Sequence, residues 1–290
     1  IEPAVFSYRD AEMFSRKAVE TGREVKIHIA ADTGMCRIGY VPSPEAIEEV
    51  KKIAALPGIT MQGIFTHFSE ADIADKEWAH EQYSRFSAFI DALKGAGVTF
   101  NIHHCCNSAG TLELPDFHRE MIRPGIIQYG YDASKEVLVT GTKIKPVMSL
   151  RCCITHLKTI YEGDCVGYGR HFTAKGPTKI ATLPIGYADG YNRALSSKID
   201  VIVHGVRAHQ VGNICMDQCM IDVSHIPDVK VGDEVVLFGE QGSECVSADE
   251  IADTCHTIIH EITCNINRRV PRVYVQNGKI VQRLEYLTQS

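Results

Sequence analysis

Up to about residue 130, short apolar runs alternate with stretches patterned for helix, and this alternation restricts the fold more than anything else in the chain. Residues 25–29 (VKIHI) have strand character. Ser43-Pro44-Glu45 then supplies an N-cap serine, a proline at the first helical position and an acid in the first turn, so a helix is predicted to open there. Ile47, Val50, Ile53 and Ala54 give its apolar face, Glu48 and Lys52 an i,i+4 pair, and Pro57-Gly58 its end. Residues 59–65 are the next strand. Residues 75–93 form a second helix, with Trp78, Tyr83, Phe86, Ile90 and Leu93 on one face and a stop at Gly95. Residues 100–106 and 121–129 supply two further strand ends. A β-α-β-α rhythm of this kind means a parallel sheet covered by helices.

The pattern switches between Tyr131 and Lys145. From Pro146 the helical period mostly disappears, and runs rich in Val, Ile and Cys are broken by Gly, Pro and Asp: 148–154, 179–183, 200–203, 220–223 and 234–238. This is the signature of a mainly antiparallel sheet with tight turns. One helix interrupts it, capped by Ser247 with Glu250 completing a capping box. Two domains are expected, 1–140 and 141–290.

Each strand of the first half ends in polar residues: Asp32 to Arg37, Thr66-His67-Phe68, Asn107-Ser108 and Arg123-Pro124-Gly125. In a β/α barrel the chemistry sits at this edge, and phosphate is often held by the loops after the last strands. A small hydroxyl at Ser108 and the Gly125-Ile126 backbone are suitable phosphate donors. In the second half, TLPIGYADGY (182–191) holds Tyr187 just past a strand end, between Gly186 and Gly190.

Charge and cysteine usage exclude several classes. A net charge of -6 without a long basic run argues against nucleic acid as a partner. No apolar stretch approaches the roughly 20 residues needed to cross a bilayer. The 11 cysteines, an odd number in a chain that is 44% hydrophobic, fit reduced thiols and a cytoplasmic setting better than a disulfide scaffold. His103-His104-Cys105-Cys106 is not read as a metal site, because successive strand residues face opposite ways and cannot close on one ion.

ADTGMCRIGY, GIFTHFSEAD, HCCNSAGTLELPD, MIRPGIIQYG, LPIGYADGY, VGNICMDQCMID and RRVPRVY occur in that order and span nearly the whole chain. Together they closely resemble the fold-type-III alanine racemases. The resemblance implies a TIM-type β/α barrel, here partial, followed by a mainly antiparallel β domain, with pyridoxal 5'-phosphate as cofactor. It implies two-base (Tyr/Lys) racemisation of L- and D-alanine, supplying D-alanine for peptidoglycan, in a homodimer with shared active sites. Tyr187 would be one base, Arg123 would contact the pyridine nitrogen, and His67 would link the two. Arg37 would steady the cofactor's phenolate oxygen and the substrate carboxylate. Asn107 and Ser108, with Gly125 and Ile126, would bind the phosphate end. Met216 and Asp217 would reach the partner's site and contact substrate.

Three departures qualify this expectation. The motif carrying the family's cofactor lysine is absent, and roughly three of a barrel's eight βα units are missing. An upstream segment of the same protein is therefore expected, and the 290 residues alone are not expected to racemise alanine. Ala30 stands where many relatives carry a lysine that props the DTGM arginine. Arg268 stands where many carry a tyrosine near the phosphate, which leaves a serine or broad-specificity racemase open, as the missing lysine leaves open a catalytically inactive PLP-binding fragment.

Overall fold

The computed structural model describes residues 1–136 and 144–287. It divides into two units, Ile1–Lys145 and Pro146–Ser290. The boundary expected between residues 140 and 141 lies outside the described residues.

The first unit runs β1 (Ala4–Val5), α1 (Tyr8–Thr21), β2 (Val25–Ala30), α2 (Pro44–Ala54), β3 (Ile59–Phe65), α3 (Glu77–Gly95), β4 (Ile102–His104) and α4 (Ser108–Glu113). The strands pair in parallel in the order β1-β2-β3-β4, as in one arc of a β/α barrel. Ile27, Ile29 and Ile64 pack with Val50, Ile53, Phe86 and Leu93, all fully buried. Side chains of this kind contribute about 1.5–3 kcal/mol each when removed from water.

Ser43 caps α2 as expected, accepting from the Ala46 N–H at 3.2 Å. Glu48 pairs with Lys51 at 2.7 Å instead of Lys52; i,i+3 and i,i+4 neighbours are equally close on a helix. The buried face of α3 is Ala79, Gln82, Phe86, Phe89 and Leu93, so Trp78, Tyr83 and Ile90 flank the stripe. The strand end expected at 121–129 is not a strand. Pro124 has no N–H to give a ladder, and only Arg123 N–H bonds across, to the Cys106 carbonyl at 2.9 Å. A 3-10 turn, Ile126–Tyr129, follows. α1 was not expected from the sequence periodicity, although Ser7 caps it by accepting from Asp10 N–H and Gly22 closes it at φ +63°.

The second unit contains β5 (Leu150–Cys153), β6 (His156–Ile160), β7 (Cys165–Val166), β8 (Phe172–Thr173), β9 (Thr178–Leu183), β10 (Asp200–Val203), β11 (Val206–Gln210), β12 (Cys219–Asp222), β13 (Glu234–Gln241) and β14 (Glu244–Val246). α5 (Ala248–Cys255), α6 (Ile259–Asn265), β15 (Arg272–Gln276) and β16 (Lys279–Leu284) follow. An antiparallel sheet runs β14-β13-β10-β11-β12-β9-β6, with β5 also paired to β13. Ile180, Leu183, Val201, Ile202, Ile221 and Val235 are fully buried in this unit. The expected fold class, a partial β/α barrel followed by a mainly antiparallel domain, is the fold found.

α6 is a second helix where one was expected. The capping box at Ser247 is half-formed. Ser247 accepts from Glu250 N–H, but the Glu250 carboxylate instead takes two hydrogen bonds from Arg207, at 2.8 and 3.0 Å. Among the described residues, no helix is long and apolar enough to cross a membrane.

Candidate active site

Parallel pairing brings the exits of β2, β3 and β4 to one edge of the first unit's sheet. Thr33, after β2, and Thr66, after β3, share a buried hydroxyl hydrogen bond of 2.7 Å. Arg123 reaches into this edge and is pinned at both ends of its fork. Nη2 donates to the Thr66 carbonyl at 2.8 Å, to the Cys105 carbonyl at 3.3 Å and to His67 Nδ1 at 3.2 Å. Nη1 donates to His104 Nδ1 at 2.5 Å. The Phe65 ring lies 5.4 Å from the guanidinium carbon. Among the described residues Arg123 Nε makes no hydrogen bond and Nη1 makes one, so the Nε–H and the second Nη1–H are the donors left for a ligand.

Arginine carries donors only, so the ring nitrogens facing it must be bare. Both histidines are therefore neutral with their proton on Nε2. Burial, reinforced by Arg123 and Arg37, lowers the His67 pKa to about 4. Burial, then Arg123, His28 and His103, lowers that of His104 to about 3. The unfolded chain takes up these protons near pH 6.5 and the folded chain does not. Their contribution to stability is thus present above pH 6.5 and lost as pH falls through the folded values. Imidazole NMR titration is expected to show both rings uncharged at pH 5, and protonation of either near pH 6.5 would contradict this geometry.

His104 went unrecognised in the sequence as a site residue. Its strand alternation is as expected: His103 turns to Glu120 at 2.9 Å, while His104 turns to Arg123. The Cys105 and Cys106 thiols both donate to the Phe117 carbonyl. No cluster of three metal-ligating side chains occurs among the described residues.

Gln82 was also missed. It is fully buried on α3, donates to the His67 carbonyl at 3.1 Å and accepts from Ser69 N–H at 3.0 Å. It thereby holds the loop that carries His67. Gln82→Leu keeps the volume roughly and leaves both backbone groups unpaired, so a loss of about 1–3 kcal/mol is expected in urea unfolding.

Asn107 spends its side chain on structure. Its Oδ1 caps α4 through Gly110 N–H at 3.0 Å, and its Nδ2 reaches the Phe68 carbonyl at 3.5 Å. Ser108 is buried, and its hydroxyl accepts from Gly125 N–H at 2.8 Å. Ser108 and Gly125 thus lie side by side at the first turns of two short helices, where backbone N–H groups lack intrahelical acceptors.

Arg37 is exposed, in a loop shaped by Asp32, whose carboxylate accepts from Gly34 and Cys36 N–H at 3.0 and 2.9 Å. Among the described residues it has no ion-pair partner, and its charge contributes to lowering both His67 and Arg123. Ala30 is buried at the end of β2.

The second unit brings Tyr187, Met216 and Asp217 together. Tyr187 N–H donates to the Cys215 carbonyl at 3.1 Å, and Ala188 N–H to the Met216 carbonyl at 3.0 Å. This close approach needs Gly186, because a Cβ there would lie 2.2 Å from the Cys215 oxygen. Asp189 is buried and accepts from Gly186 N–H at 2.9 Å and from Arg269 Nε at 2.7 Å. Arg269 Nη2 continues to Asp217 at 2.6 Å. Arg269, absent from the expected set, ties the tyrosine turn to the loop of Met216 and Asp217, whereas Arg268 lies over Tyr286 at 5.9 Å. Tyr187 and Met216 stay exposed, at 43% and 54%. A hollow of about 440 Å³ beside Tyr187 is lined by Gly190, Asn192, Arg193, Asn265 and Asn267.

Residues 1–133 match the alanine racemase N-terminal domain and residues 147–274 the alanine racemase C-terminal domain. Alanine racemase 1 of Clostridium acetobutylicum is 46% identical over 287 residues, covering 99% of this chain and 74% of that protein. Alanine racemase of Clostridium tetani is 47% identical over 288 residues, with the same coverage. Among solved structures, alanine racemase of Clostridium difficile 630 superposes with a TM-score of 0.93 at 39% identity, over 99% of this chain and 74% of that one. Alanine racemase from Bacillus anthracis with bound L-Ala-P gives 0.91 at 35% identity, over 98% and 73%.

Proposed function

The chain belongs to the alanine racemase family, and on that premise we propose that it interconverts L- and D-alanine with pyridoxal 5'-phosphate, using Tyr187 as one of two proton carriers. The observation that carries the cofactor reading is Arg123, with both Nη atoms bonded to protein acceptors and Nε left over. A permanent cation that is not a proton donor at neutral pH suits a pyridine nitrogen that is to remain unprotonated. Ser108, Gly125 and Ile126 would hold the phosphate. Bound pyridoxal phosphate makes the α-proton of an amino acid acidic.

Racemisation needs a proton carrier on each face of the reacting carbon, and Tyr187 would serve the face from which the L-isomer is deprotonated. A free phenol is a weak base at neutral pH, so its partners matter. His67, neutral with Nε2–H outward and Nδ1 on Arg123, is suited to hydrogen-bond a phenolate oxygen. Arg37 would meet the substrate carboxylate. Tyr187, Met216 and Asp217 are exposed on the second unit, which supports a two-fold dimer in which they complete a partner's site. We assign the D-alanine produced to peptidoglycan supply and the protein to the cytoplasm.

The test uses the natural polypeptide that carries these 290 residues, with pyridoxal phosphate and L-alanine. D-Alanine is expected to accumulate to equality with the L-isomer, faster than D-serine forms from L-serine. Equal or faster serine conversion would favour the broad-specificity reading. Cofactor binding without any racemisation would favour a binding module and sink the enzymatic proposal.

A further inference from the structure

Behind Arg123 a row of polar side chains runs away from the site: His104 Nε2 meets His28 Nδ1 at 2.9 Å, and His28 Nε2 meets a Glu2 carboxylate oxygen at 3.1 Å. His28 is only 7% exposed and His104 4%. Both ends of the row fix its direction. Arg123 can only donate and the Glu2 carboxylate can only accept. Each imidazole is therefore neutral, protonated on Nε2 and bare on Nδ1, and every hydrogen bond points from Arg123 toward Glu2.

The backbone is shaped to admit this row. Pairing between β2 and β3 slips by one residue, from Ile27↔Met61 to His28↔Gly63, leaving Gln62 as a bulge. The slip sets His28 opposite Gly63, where a Cβ would lie 2.3 Å from His28 Nδ1. Phe65 stacks on His104 at 5.1 Å and 14°, closing the other side. A buried pair of histidines is a costly filler compared with apolar residues of the same volume. Here the bulge, the glycine and the carboxylate all serve to keep it.

We propose that His28, seated by Gly63 and anchored by Glu2, is a positioning residue: it accepts the His104 Nε2–H and so fixes the plane of the His104 ring and, through it, of the Arg123 guanidinium. With Nη1 set by His104 and Nη2 by Thr66, the direction of Nε is determined. The inference deepens the cofactor reading and rests on it only for the meaning of that direction, namely the approach to the ring nitrogen.

The experiment reads tautomers and cofactor affinity separately. Imidazole ¹⁵N spectra of the protein without cofactor at neutral pH are expected to show His28 and His104 neutral with the proton on Nε2. A proton on Nδ1 of His104 in the unmodified protein overturns the proposal before any variant is made. His28→Phe removes the acceptor while Arg123 still keeps His104 Nδ1 bare, so it is expected to shift the His104 Nε2 resonance without changing the tautomer and to weaken pyridoxal phosphate binding by about tenfold, as loss of an outer-shell orienting group does. His28→Gln is expected to restore both, because one amide offers a carbonyl to His104 and an N–H to Glu2. Gly63→Ala, which removes no polar group, is expected to reproduce the His28→Phe result by displacing the ring. An unshifted His104 Nε2 resonance and wild-type affinity in both His28→Phe and Gly63→Ala overturn the proposal. If the His104 Nε2 resonance responds as stated but no form binds pyridoxal phosphate, the positioning row is supported and the cofactor reading fails.

Discussion

Tyr187→Phe is expected to slow racemisation in both directions by about 10²–10⁴-fold, the usual cost of losing a positioned acid or base. Each direction needs one group to take a proton and another to return one, so losing either carrier stops both. The substitution keeps the ring, and the backbone bonds of residue 187 to Cys215 do not involve the phenol. Binding of pyridoxal phosphate is therefore expected to be unchanged, which separates a chemical loss from a folding one. Exchange of the α-proton in deuterated water discriminates further. D-Alanine is expected to exchange still, with retention, and L-alanine only slowly. If the variant exchanged L-alanine at the unmodified rate, Tyr187 would not serve that face and His67 would be the first replacement to consider.

Arg123→Leu is expected to have the largest effect on the first unit. It strips a donor from the carbonyls of Thr66 and Cys105 and from His104 and His67. The costs of these groups do not add, since some will find water or repack, and the expected loss is about 3–5 kcal/mol, as when one partner of a buried charged network is removed. Burial already lowers the pKa of this guanidinium, so part of the loss is offset by no longer burying a charge. Arg123→Lys is expected to recover some stability but not cofactor affinity, because an ammonium on a flexible stem cannot hold two histidines and present a third donor in one plane. Urea unfolding and pyridoxal phosphate titration check the two effects. A Leu variant within about 1 kcal/mol of the parent would mean that the hydrogen bonds around Arg123 are worth little.

What the sequence made legible follows from where its signals are local. Ser43-Pro44-Glu45 and Ser247 announce helix starts within four residues, and both caps are found. The runs at 25–29, 59–65 and 200–203 are found as strands, and their Ile27, Ile29, Ile64, Val201, Ile202 and Val203 are fully buried. The strand end expected at 121–129 failed because its apolar content serves a loop: Pro124 forbids a ladder and Ile126 is buried from a 3-10 turn. Of the candidate site residues, Arg123 and His67 were singled out through their flanking motifs and are found in contact, and Tyr187, singled out in the same way, stands on the second unit. His104, Gln82 and Arg269 were not singled out. Their partners are 19, 15 and 80 residues away, and no local spacing rule reaches them. His104 could have been suspected from strand alternation, which sets it opposite His103. Gln82 could have been found as the one polar residue in the apolar stripe of α3.

The bridge from Asp189 through Arg269 to Asp217 bears on how this protein could be redesigned. On the proposal that residues 216 and 217 contact substrate, a library that varies them to admit a larger amino acid would also strain the turn bearing Tyr187, since one guanidinium serves both carboxylates. Substitutions at 217 and 269 are then epistatic, and single-site scans would score as lost catalysis what is partly lost placement of the phenol. On that proposal, selectivity is best searched by varying 189, 217 and 269 jointly with 216.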